Sequence, residues 1–120
     1  GKFTLPSISS TTPSDSTSPD QANNIGASFF FYVETAATDL DIKTDGTDKF
    51  VGAVIVAIND STKKAFVPGA SNDVITMHGS TKGGIVGSVI KVTAIDTTTY
   101  LVHDSLLIGS GTIVTPFADA

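Results

Sequence analysis

Cysteine, tryptophan and arginine are all absent from the 120-residue sequence. Without Cys there is neither a disulfide framework nor a thiolate metal site, so stability must come from the core and from association. Without Arg, seven scattered Lys against a net charge of −5 cannot neutralise a phosphate backbone, and a nucleic-acid partner is not expected. Helix formers are equally scarce. Glu34, Gln21 and Met77 are the single representatives of their types, and no long window sums to a favourable helix propensity. No run approaches the roughly 20 apolar residues of a membrane-spanning helix, so no membrane partner is expected either.

What is present is β-branched. Val, Ile and Thr make up about a third of the chain and far outnumber Leu, which suits pleated, half-buried surfaces. The length fits one domain with a real core. These features predict an all-β fold, an antiparallel β-sandwich or barrel-like domain over residues 26–120, preceded by an extended N-terminal arm over residues 1–25. Residues 6–25, PSISSTTPSDSTSPDQANNI, offer almost nothing to bury. Phe3, Leu5 and Ile8 are the apolar anchors of that arm, and Pro6, Pro13 and Pro19 stiffen the rest of it. The arm is expected to reach a partner through these anchors, pairing with a neighbour's strand edge.

From Gly26 onward, strand-like runs alternate with turn signals every 8–12 residues or so. They are Ser28–Glu34, Asp39–Thr44, Gly52–Ile58, Lys64–Val67, Asp73–Met77, Ser88–Ile95, Tyr100–His103, Leu106–Ile108 and Thr112–Val114. Asp39–Thr44 alternates cleanly, with Leu40 and Ile42 on one face. The expected core comprises Phe29, Phe31, Val33, Leu40, Ile42, Val54, Val56, Ile58, Val74, Val89, Ile95, Leu101 and Ile113.

Candidate chemistry is thin. Asp39, Asp41, Asp45 and Asp48 crowd together, but an EF-hand register starting at Asp39 puts Lys43 and Thr44 where a ligand and the Gly belong. Starting at Asp41 places Lys43 at the third position and Gly52 at the twelfth, so neither register works. His78 and His103 are the only imidazoles and have no partner at zinc-ligand spacing. Gly79–Gly87 holds Ser, Thr and Lys, yet it lacks the Gly-Lys-[Ser/Thr] order opening a helix that a phosphate loop needs. Gly109-Ser110-Gly111 is not a nucleophile elbow. The sequon Asn59-Asp60-Ser61 has meaning only in a eukaryotic secretory setting. No catalytic, cofactor-binding or metal residue is therefore assigned, and no small-molecule substrate is expected.

From Gly26 to Phe117 the sequence resembles small structural proteins of tailed bacteriophages, notably head decoration (cement) proteins and related tail-fibre modules. The stretches that carry the resemblance are GASFFFYV (26–33), FVGAVIV (50–56), NDVITMHGSTKGGIVGSVIKVTAI (72–95) and YLVHDSLLIGSGTIVTPF (100–117). Such proteins have an Asp-Gly-x-Trp turn near the C-terminus, and here Asp96-Thr97-Thr98-Thr99 stands in its place, without the Gly or the Trp. The resemblance implies a non-catalytic virion protein that sits on the capsid surface, binds the major capsid protein and assembles as a homotrimer. The strand edge with which the arm pairs then belongs to either a sister subunit or the major capsid protein. The alternative is a receptor-binding or fibre module, for which Tyr32 and Tyr100 would be the stacking side chains.

Overall fold

The computed structural model describes residues 1–9 and 23–119. Among the described residues there are ten strands and no helix. β1 (Lys2–Thr4), β3 (Leu40–Lys43), β7 (Val74–Met77) and β10 (Phe117–Ala118) form a four-stranded sheet in the order β1-β3-β7-β10. The second sheet runs β2-β8-β9-β5-β6, built from β2 (Ser28–Tyr32), β8 (Val89–Asp96), β9 (Thr99–Ile108), β5 (Val54–Ala57) and β6 (Lys63–Phe66). β4 (Lys49–Gly52) also pairs with β9, so β4 and β5 follow one another along the same neighbour.

The expected all-β fold of packed sheets is present, and its sheets are mixed rather than purely antiparallel. β1 runs parallel to β3, and β4 and β5 run parallel to β9. Between the sheets lie Ile42, Ile75 and Met77 from one side and Phe50, Val54, Val56, Ile90, Val92, Tyr100, Val102 and Leu107 from the other. β8 shows why the sequence folds this way: Ile90, Val92 and Ala94 point inward while Val89, Lys91 and Thr93 alternate outward.

That parity differs from the expected core. Val33, Ile42, Val54, Val56 and Val74 are buried, but Ile95 is 44% exposed, and Val89 and Leu101 lie on the outer face. Both β8 and β9 carry apolar residues on both faces, so alternation alone does not choose the inner one. Tyr100–His103 and Leu106–Ile108 are not two strands but halves of β9, joined through a bulge at Asp104, whose φ is +49°. Thr112–Val114 forms no strand, and β10 closes the four-stranded sheet instead.

The first nine residues are built into the body. Leu5 is 1% exposed inside the core, Ile8 packs against that core, and the Tyr100 hydroxyl donates to the Pro6 carbonyl at 2.6 Å. The boundary placed at residue 26 therefore does not separate this segment from the sheets, because one large aliphatic side chain so deeply buried outweighs its polar neighbours. The remainder of the arm, residues 10–22, lies outside the described residues.

Candidate functional site

The outer face of the six-stranded sheet carries an apolar row that crosses five strands. Register places Ala65 of β6 opposite Ile55 of β5, Ile55 opposite Leu106 of β9, Leu106 opposite Val89 of β8, and Val89 opposite Tyr32 of β2. Ile55, Leu106 and Tyr32 are exposed. A second row runs Val51, Leu101, Thr93 and Ser28, and Phe30 sits opposite Lys91, itself opposite His103. Phe30 and Tyr32 are 64% and 56% exposed, on the same face of β2. A solvated antiparallel face ordinarily alternates hydrophobic-in with polar-out. Here both faces are apolar along the row.

One polar chain interrupts the face. The Ser28 and Thr93 hydroxyls lie 2.7 Å apart, Thr93 Oγ1 lies 2.7 Å from His103 Nε2, and His103 Nδ1 lies 3.0 Å from Asp104 Oδ2. The bulge makes this possible, turning His103 and Asp104 onto one side. Ser105 repairs the ladder there, accepting from the Lys91 N–H at 3.0 Å and donating to the His103 carbonyl at 2.8 Å. The connectivity is that of a hydroxyl, a base and an orienting acid. Its Asp104 side chain is largely in solvent, whereas the acid of a triad is buried so that it can hold an imidazolium. The chain reads as a polar clamp across three strands, one that sequence spacing gives no means of finding.

Asp45, Asp48 and His78 have structural partners. Asp45 accepts from the Thr47 and Asp48 N–H groups and from the Ser7 hydroxyl at 2.7 Å, and Asp48 accepts from the Ile8 N–H at 3.2 Å. The acidic turn thus fastens residues 7 and 8 to the body. Those bonds, the Asp48 N–H foremost, hold the Asp45 carboxyl below its ordinary range. Asp48 is pushed upward, by burial first and then by the nearby charges of Asp45 and Asp96. His78 faces the Ser80 and Thr81 hydroxyls in the glycine-rich loop. In that loop Gly79 and Gly84 take positive φ, and a Cβ on Gly79 would lie 2.3 Å from the Ala37 carbonyl oxygen. Asp41 and Asp119 share a shallow depression on the outer face of the four-stranded sheet with Lys2, Lys43 and Thr76.

The three anchors expected to touch a partner are divided. Leu5 and Ile8 are used within their own chain, and only Phe3 stays on the surface, its ring 4.9 Å from that of Phe31. Of the two tyrosines considered for stacking, Tyr100 is buried and Tyr32 is available. Comparison of the chain with known protein families, curated proteins and solved structures gives no match.

Proposed function

We propose that this chain is a non-catalytic bacteriophage capsid decoration protein that docks on the major capsid protein at the outer surface of the head. The observation that supports docking is the apolar row Ala65, Ile55, Leu106, Val89 and Tyr32 across the outer sheet face. The five strands hold 31 residues, and at about 4.8 Å between strands and about 3.3 Å per residue they offer on the order of 500 Å². That is at the low end of what one partner contributes to a specific interface, about 800 Å² being standard. The virion setting rests on the resemblance described above. An acidic chain also stays soluble at high copy number before it assembles.

The test mixes the purified protein with expanded heads of the phage that encodes it. Saturable binding is expected, with Leu106→Asp and Ile55→Asp variants folded but weakened at least tenfold. Heads that bind neither the parent nor the variants would overturn the reading. A second reading, a fibre or receptor-binding module, is favoured by Phe30 and Tyr32 side by side in solvent. It predicts binding to host cells that Tyr32→Ala abolishes.

A further inference from the structure

β2 is an edge strand, and its free edge is oriented for pairing. The Val33 N–H donates to the Ser88 carbonyl at 2.9 Å and the Ala94 N–H to the Ala27 carbonyl at 3.0 Å. Given the register Phe29↔Val92 and Phe31↔Ile90, these two are the hydrogen-bonded pairs, and the Ala27 carbonyl and the Val33 N–H face β8 in the same phase. The N–H and C=O groups of Ser28, Phe30 and Tyr32 point the other way, and no strand among the described residues covers them.

The two edges of this sheet are treated differently. β6, at the far edge, begins Lys63-Lys64, and lysines on an edge keep another chain from pairing there. β2 reads Ser-Phe-Phe-Phe-Tyr and carries no charge. In a protein of net charge −5, an uncharged edge is where two copies can approach without repulsion.

We infer that β2 pairs antiparallel with β2 of a second copy of this chain about a two-fold axis at Phe30. That register engages all three residues with outward donors and acceptors, Ser28, Phe30 and Tyr32, where a shift by two residues would engage only two. It sets Phe30 against the partner's Phe30 and Ser28 against the partner's Tyr32, with roughly six inter-subunit backbone hydrogen bonds, two for each such pair. Exposed rings meet across the axis, and aromatic cross-strand pairs are among the favourable ones. Phe3, exposed beside Phe31, adds apolar area on the opposite face of the same edge. The two six-stranded sheets become one continuous sheet, and the docking faces of both subunits lie on its outer side.

The absence of native Cys makes the register directly readable. In a hydrogen-bonded antiparallel pair the Cα atoms lie about 5.5 Å apart, within disulfide range. Mild oxidation of the full-length F30C variant should give a covalent dimer, while Y32C, whose position faces Ser28 rather than itself, should stay monomeric. Sedimentation of the parent should show a concentration-dependent dimer that F30K, placing like charges face to face at an exposed position, weakens at least tenfold with an unchanged far-UV spectrum. Equal cross-linking of F30C and Y32C would overturn the register. A parent monomeric at all concentrations, or one sedimenting as a trimer, would overturn the two-fold pairing. Head binding is read separately, through Leu106 and Ile55.

Discussion

Gly52 stands where β4 gives way to β5, with φ at +100° and no room for a side chain. A Cβ there would lie 2.1 Å from the Val102 carbonyl oxygen. Gly52→Ala should therefore cost about 3 kcal/mol or more, combining left-handed strain with displacement of the β9 backbone. Gly46→Ala, at φ +98° in open space, should cost only about 1 kcal/mol; denaturant melts of the two variants check the contrast. Asp48 gives a pH test. Its native carboxyl titrates above the ordinary value, so the folded state holds that proton more tightly than the unfolded chain does. Acidification through the window just above 3.8 relieves the folded state of this charge. Asp45 acts in the opposite sense, its stabilisation in place above 3.8 and lost as pH falls through its lowered native value. Asp48→Asn keeps an acceptor for the Ile8 N–H and removes the buried charge. It should melt above the parent at pH 7, with the gap closing as pH drops toward 4. A gap that widens on acidification would refute this reading.

Most strands were legible in the sequence, but β1, β4 and β10 were not and Thr112–Val114 forms none; strand facing was legible only where polar and apolar residues alternate. Asp39–Thr44 alternates polar and apolar residues, so Ile42 could be assigned to the core, where it lies. Ser88–Ile95 carries Val89 and Ile95 on one face and Ile90, Val92 and Ala94 on the other, and the inner set is chosen by packing against the opposite sheet, which no local pattern reports. Likewise His103-Asp104-Ser105 reads as a break because polar residues interrupt an apolar run. The chain instead continues through a bulge whose missing ladder partner is supplied by the Ser105 hydroxyl. Ser105→Ala would leave the Lys91 N–H without that acceptor in a half-buried site. A loss of about 1–3 kcal/mol is expected, measured by chemical denaturation.

At the scale of the molecule, the N-terminal residues decide where the domain begins. Composition marks them as an arm, since Ser, Thr and Pro dominate from residue 6 onward, and a single Leu is too weak a signal to outweigh them. Leu5 nonetheless fills the core. Leu5→Ala should lower stability by about 2–5 kcal/mol, and an unchanged melting temperature would show that residues 1–9 dock only loosely. The candidate docking face was legible in its residues but not in its assembly. Tyr32, Ile55, Ala65, Val89 and Leu106 are ordinary strand residues in sequence, and only the pairing register brings them into one row.

β9 is the strand to which β4, β5 and β8 are all tied. Two of those ladders join positions about fifty residues apart, Lys49 with Thr99 and Ile55 with Leu106. Such distant pairing must meet its loop-closure entropy before it gains any contact energy, so refolding belongs in the millisecond-to-second range of all-β proteins. During synthesis, at about 5–20 residues per second, the apolar strand β5 leaves the ribosome seconds before its β9 partner exists. The nascent chain thus spends that interval with Val54, Ile55 and Val56 uncovered. The charged pair Lys63-Lys64, emerging immediately afterwards, is the segment best placed to keep neighbouring chains apart until β9 arrives.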